Sequence, residues 1–180
     1  VRAQPMRFSE RGVREVVRSV ILPLWNAYSF FATYASVDNW QPPAPGEATP
    51  LAERGLLDRW LMSMTQSLVR DVNEEMAAYR LYNVIPPVLG FIDHLTNWYI
   101  RRSRRRFWKS QDDDDKSQAY QTLHYVLVQL SKVAAPFLPF ISESIYRNLR
   151  SEDAPESVHL CDFPVADGSL REDSLEKAMS

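Results

Sequence analysis

Basic and aromatic side chains crowd one short stretch of the chain. Arg101, Arg102, Arg104, Arg105, Arg106 and Lys109 are interspersed with Trp98, Tyr99, Phe107 and Trp108, and no acidic residue interrupts them. Guanidinium groups neutralise phosphates, and indole rings stack on nucleobases. The pattern is typical of a surface that binds structured nucleic acid, although an ordinary solvated face at a helix end would also carry such charges.

The remaining motifs point to no catalytic centre. The sequence contains no glycine-rich phosphate loop and no Gly-x-Ser-x-Gly motif, so we predict no catalytic residue. His94, His124 and His159 are scattered and no Cys-x-x-Cys pair accompanies them, so we expect no metal site and no cofactor in this chain. Cys161 is the single cysteine, which excludes an intramolecular disulfide and fits a cytoplasmic location.

Length and composition predict one substantial hydrophobic core. The chain has 180 residues, of which 45% are hydrophobic, and a net charge of -2. Attraction to nucleic acid must therefore come from local clustering of charge rather than from a uniformly basic surface. No run approaches the roughly 18 apolar residues of a membrane span, so we expect no membrane association.

Apolar residues recur at three- and four-residue steps in several long segments, which predicts helices. The first helix is expected to begin at the N-cap Ser9 and to kink or bulge near Val20, because Pro23 cannot donate to the helical ladder. Further helices are predicted along Leu57–Met76, along the segment up to Trp108 and along Tyr120–Ala134, followed by a short one from Pro139 to Leu149. Asp58 is expected on the solvent face of the second helix.

Prolines and charges mark the expected boundaries. Residues 38–50 contain four prolines and a glycine and are predicted to form a loop. Pro86 and Pro87 predict either a kink or a fresh helix start. The aspartate run 112–115 is expected to form a solvated loop whose last carboxylates cap the next helix, and residues 157–160 are expected to be extended.

These elements predict an all-α fold, an antiparallel bundle of about five helices, because nothing before residue 157 is typical of a strand. The bundle is expected to occupy residues 1–150. An irregular extension with a short terminal helix is expected at residues 151–180, leading to a C-terminal part that is missing here.

The segment from Phe91 to Trp108 closely resembles the anticodon-binding helical bundle of class I isoleucyl-tRNA synthetases. Leu22–Tyr28 and Ala135–Glu143 agree with the same family, although the second stretch is shared with valyl and leucyl relatives. Ser157–Leu160 followed by Asp162–Pro164 favours the isoleucyl branch. The resemblance covers nearly the whole chain.

The resemblance implies that the chain is a fragment, because the family's His-x-Gly-His motif and Lys-Met-Ser-Lys-Ser loop are absent. Its parent would ligate isoleucine to tRNA with ATP and Mg²⁺, and this part, joined to a catalytic domain of the same chain, would bind the anticodon arm. Arg7 is expected near the tRNA on resemblance alone. The alternatives are the equivalent bundle of a valyl or leucyl enzyme, or a helical domain that docks on a protein.

Roles within the basic stretch differ. Arg102, Arg105 and Arg106 are the leading candidates for phosphate contacts, with Arg101, Arg104 and Lys109 as further RNA-binding residues. Trp108 lies at the charged end and is the best candidate for stacking on a base, whereas Trp98 and Tyr99 adjoin the apolar stripe and are expected to pack in the core. One or two of the five arginines are expected to pair internally with Asp93 or the aspartate run.

Overall fold

The computed structural model describes residues 9–44, 46–108 and 113–179. Helix α1 spans residues 10–37 and consists of α-helical Glu10–Val16, π-helical Val17–Ile21 and α-helical Leu22–Val37. The Ser9 hydroxyl accepts a hydrogen bond from the Gly12 amide at 3.1 Å, which confirms the predicted N-cap. The bulge predicted near Val20 is also confirmed, because the π-helical segment lies directly before the turn that contains Pro23.

Between α1 and α2 the described residues form no α-helix and one 3-10 turn, Leu51–Glu53. Helix α2 is Leu56–Ala77, and α3 spans residues 85–108 as α-helical Ile85–Asp93, π-helical His94–Ile100 and α-helical Arg101–Trp108. Helix α3 starts afresh at Ile85, with Pro86 and Pro87 in its first turn, where amides have no helical partner in any case. The π-helical segment was not predicted; there the Thr96 hydroxyl donates to the Ile92 carbonyl at 2.8 Å, a side-chain bond that competes with the ladder.

Helix α4 is Asp113–Ala134, and α5 is Pro139–Leu149. The prediction of an aspartate loop before α4 is wrong for residues 113–115, which form the first helical turn. Acidic residues suit a first turn because the N-terminal end of the helix dipole is positive. Asp112 lies outside the described residues. Helix α5 starts at Pro139, as predicted.

The chain after α5 is mostly irregular and ends in helix α6, Asp173–Met179. The extended conformation predicted for residues 157–160 is wrong. Val158–Leu160 form a 3-10 turn, because the Ser157 hydroxyl accepts the His159 amide and the Glu143 carboxylate accepts the Val158 amide. The chain after α5 also packs on α2, for example through the ion pair between Arg59 and Glu172. The domain boundary at residue 150 stays a prediction.

The helices of the described residues alternate in direction, and those residues contain no strand, which confirms the all-α bundle. Helices α1 and α3 run the same way, since residues near the middle of α1 contact the start of α3 and Phe30 lies 5.0 Å from the Phe107 ring. Helices α2 and α4 run in the opposite direction to α1 and α3, because the start of α2 contacts the end of α3 and the start of α4 contacts the end of α1. The core between them contains the fully buried Trp60, Tyr99, Phe107, Tyr120, Leu123 and Leu127. The end of α3 and the start of α4 therefore lie at the same end of the bundle.

Asp58 is fully buried near the start of α2, so its predicted solvent position is wrong. Its Oδ1 accepts hydrogen bonds from the Tyr99 hydroxyl at 2.6 Å and from Arg106 Nη1 at 2.9 Å, and its Oδ2 accepts from Arg106 Nη2 at 2.7 Å. Arg106 Nε also donates to Asp115 Oδ2 at 3.0 Å. Asp58 and Asp115 thus join α2, α3 and α4 through one guanidinium.

Burial and charge act together on the titration of this network. Burial raises the pKa of Tyr99 well above its usual value, and the Asp58 carboxylate raises it further. Burial alone would lower the pKa of Arg106, but the hydrogen bonds and the charge of Asp58 outweigh that effect and raise it. Arg106 therefore stays charged and Tyr99 stays neutral across the physiological range.

Asp58→Asn should lower the free energy of unfolding by about 3 kcal/mol or more, because removing one member of a buried ion pair leaves the other charge poorly compensated. Tyr99→Phe should cost less, about 1–3 kcal/mol, since it removes one hydrogen bond to a charged group. Urea denaturation monitored by circular dichroism measures both. Glu10→Gln, which breaks an exposed pair with Arg14, is the control; an equal loss in all three variants would contradict the role of the network.

His124 joins α4 to the end of α5. Its Nε2 lies 2.8 Å from the Leu149 carbonyl oxygen, which fits a neutral ring that donates there. Burial lowers the pKa of His124, and the hydrogen bond to Leu149 opposes this only in part.

The stability of the fold should therefore fall as the pH drops below about 6.5, the usual histidine pKa. The unfolded chain binds a proton there that the folded chain excludes, so free energy of unfolding rises with pH across this range. His124→Gln should flatten the fall between pH 7.5 and pH 5.5 in urea titrations, whereas exposed His159→Gln should not. Parallel profiles for wild type and His124→Gln would contradict this assignment.

Candidate nucleic-acid interface

Four arginines project from the last two turns of α3. Arg101, Arg102, Arg104 and Arg105 are exposed, whereas Ser103 and Phe107 on the opposite side of the same turns are buried. Residues on an α-helix are 100° apart, so this alternation places the four guanidiniums on one face. We call these four residues the arginine rim. None of them forms an ion pair with an acidic residue in the described parts of the chain.

Aromatic rings support two members of the rim. The Arg102 guanidinium carbon lies 3.9 Å from the centre of the Trp98 ring, and that of Arg104 lies 6.0 Å from the Phe30 ring. Cation–π contacts of this kind hold a guanidinium in place without neutralising it. The half-buried Trp98 packs against the core, and Tyr99 is fully buried, so core packing is confirmed for both.

Arg106 lies at the edge of the rim but points inward. Its side chain is only 16% exposed, and its guanidinium is occupied by Asp58 and Asp115. The expected internal pairing of one arginine with the aspartate run is therefore confirmed. Arg106 was also a leading candidate for a phosphate contact; because its donors bond internally, we assign it to the scaffold instead.

The other predicted residues are placed as follows. Trp108 ends α3 and is 60% exposed, a position that suits stacking. Asp93 accepts a hydrogen bond from Asn97 at 2.6 Å and pairs with no described arginine. Arg7 and Lys109 lie outside the described residues. RNA binding by the rim, by Trp108 and by these two residues stays a prediction.

Sequence reasoning missed Asp58, because its partners Tyr99 and Arg106 are 41 and 48 positions away in the chain. Helical periodicity predicted Asp58 on the solvent face, and aspartates are common in the first turn of exposed helices. The available signal was the excess of basic residues in α3, since a cation at the edge of a core requires a buried acid as partner.

The described residues contain no group of three or more histidine, cysteine, aspartate or glutamate side chains that could hold a metal ion. In the same ranges, no helix combines the length and apolar character needed to cross a membrane.

Comparison with known proteins agrees with this geometry. The model of the family described as the anticodon-binding domain of tRNA ligase matches residues 58–180. The chain is 49% identical over 179 residues to the isoleucine–tRNA ligase of Protochlamydia amoebophila, 46% over 188 residues to that of Treponema denticola, and 46% over 181 residues to that of Bdellovibrio bacteriovorus. Each alignment covers 99% of this chain and 17% of the relative. The chain spans about a sixth of the length of these relatives.

The family model covers most of the sequence, including α2 to α6, and the chain belongs to the anticodon-binding domain family of tRNA ligases.

Proposed function

We propose that this chain is the part of an isoleucine–tRNA ligase that binds the anticodon stem-loop of its tRNA. The observation that carries the proposal is the arginine rim: four exposed guanidiniums on one helix end, without an ion-pair partner among the described acids. A surface of this kind attracts phosphates strongly even though the net charge of the chain is -2.

An RNA hairpin fits this surface better than an RNA duplex. The deep major groove of A-form RNA is closed to side chains, whereas loop bases are unstacked and accessible. The rim would hold loop phosphates, and Trp108, at the very end of α3, would stack on a base. Arg7 and Lys109 belong to the same proposal as further phosphate contacts.

The chemistry of the parent enzyme lies outside this chain. We propose that the parent activates isoleucine with ATP and Mg²⁺ and transfers it to tRNA in a catalytic domain of the same polypeptide. The described residues contain no cluster of histidine, cysteine, aspartate or glutamate side chains that could hold the Mg²⁺. A cytoplasmic location suits both translation and a lone thiol such as Cys161.

Replacing Arg101 and Arg105 with alanine should weaken binding of the anticodon stem-loop and reduce its salt dependence. Each lost phosphate contact lowers the slope of log K against log salt by about 0.7–0.9. Fluorescence anisotropy at several salt concentrations measures this slope. Arg147→Ala on α5 removes an arginine that is 68% exposed and lies off the rim, and it is the matched control. An unchanged slope in the rim variant would refute the phosphate role.

The chain should bind the stem-loop of isoleucine tRNA more tightly than those of valine and leucine tRNAs. A single stacked base contributes about 1–3 kcal/mol, so one lost base contact is measurable in competition assays. Equal affinities would favour an interface that reads phosphates alone. Preference for a valine or leucine stem-loop would assign the chain to those enzymes, and no binding at low salt would favour a protein partner for the rim.

A further inference from the structure

A cleft of about 560 Å³ opens between the end of α1, residues 39–42, the middle of α4 and the end of α5. Its aromatic wall includes Phe31, Trp40 and His124. We call it the Trp40 cleft. Its volume is ample for one nucleobase, and its lining combines flat rings with polar side chains, as small-ligand sites do.

Trp40 forms a fixed platform in this cleft. Its indole stacks on the buried Tyr120 ring, with centroids 5.4 Å apart and planes at 23°, and the Phe31 ring meets it edge-on at 5.7 Å. Tyr120 therefore supports one side of an indole that is only half-buried and that lines the cleft. A ring held in this way loses little conformational entropy when a flat ligand stacks on it.

Polar groups around the platform have hydrogen-bonding capacity to spare. The side chains of Asn39 and Gln41 make no hydrogen bond with any described residue. The Asn148 amide nitrogen donates to the Ser144 carbonyl at 2.8 Å, and its oxygen stays open within the described structure. Side-chain amides carry both a donor and an acceptor, which matches the edges of nucleobases.

The charge of the cleft favours a base over a phosphate. Its charged lining residues are Arg150 and Glu152, which balance each other. Arg150 Nη1 already donates to backbone carbonyls, including that of Ala154 at 2.9 Å. His124 also lines the cleft. Burial lowers its pKa, so its ring is neutral at pH 7.

The cleft and the rim share one aromatic cluster. The Tyr120 ring that supports Trp40 also meets Phe107 edge-on at 5.0 Å, and Phe107 lies in the α3 turn that carries Arg104 and Arg105. The platform and the α3 turn that carries these arginines therefore lie at the same end of the bundle, two ring contacts apart through the core.

We propose that the Trp40 cleft receives a single unstacked base of the tRNA loop, with the base stacked on Trp40 and its edge bonded to the amides of Gln41 and Asn148. This assignment rests on the proposed function and adds a site for base recognition to the phosphate contacts of the rim.

The test measures binding of a synthetic anticodon stem-loop, and of a series with one loop base removed at a time, to the full 180-residue chain. Trp40→Ala should weaken binding of the intact stem-loop about 5- to 150-fold without changing the salt slope, since no phosphate contact is lost. Trp40→Phe should restore most of the affinity. Trp25→Ala, at a half-exposed tryptophan outside the cleft, is the matched control. Gln41→Ala, at an exposed residue, should weaken binding of the same base by removing a bond to its edge, without disturbing the core.

The proposal is decided by whether the effects of the protein variants and of the removed loop bases are additive. One abasic position should weaken binding to the wild type and have no further effect on Trp40→Ala, because both changes remove one contact. The assignment is overturned if every abasic position weakens Trp40→Ala and wild type equally, or if Gln41→Ala binds normally. If rim variants still lower the salt slope in that case, the proposed function stands and only the base site fails. If the wild-type chain binds no stem-loop at low salt, both fail.

Discussion

The buried carboxylate of Asp58 determines where the charges of this domain point. A full negative charge without solvent must be paired, and Arg106 is the partner that the bundle supplies from α3. Because residues on a helix are 100° apart, turning Arg106 inward sends Arg101 and Arg104 about 140–160° away, towards solvent. Tyr99, about two turns earlier in a π-helical segment, bonds to the same carboxylate and fixes the rotation of that part of the helix as well.

One inward arginine thus sets the rotation of the helix end that carries the four exposed arginines. The rim guanidiniums are exposed and form no ion pair with the described acids. They therefore repel one another, which destabilises the end of α3. Asp58 and Asp115 place negative charge beneath that helix, on its inner side, where it offsets the repulsion without covering the outer face. A chain with net charge -2 can thereby present a locally basic surface to RNA.

Sequence periodicity predicted the helices well and long-range polar contacts poorly. The Ser9 cap, the bulge before Pro23 and the fresh start at Pro86 follow from local rules that act within one helical turn. The burial of Asp58 depends on Arg106, 48 positions away, and no local pattern encodes that distance. The same limit explains why the basic run was found as a candidate interface while the inward turn of Arg106 was not, and why Trp40, isolated in a proline-rich loop, gave no signal.

The Trp40 cleft and the rim serve different parts of RNA recognition, and their placement at one end of the bundle follows from its topology. Helices α1 and α3 end there, and α4 begins there, so Trp40, Phe107 and Tyr120 meet around one point. Exposed arginines attract any phosphate backbone, which gives affinity without sequence preference. A neutral cleft with an aromatic platform contributes little to that attraction and discriminates by the shape and edge of one base. Selectivity for one tRNA requires the second kind of contact, and the fold places both kinds at the same end of the bundle.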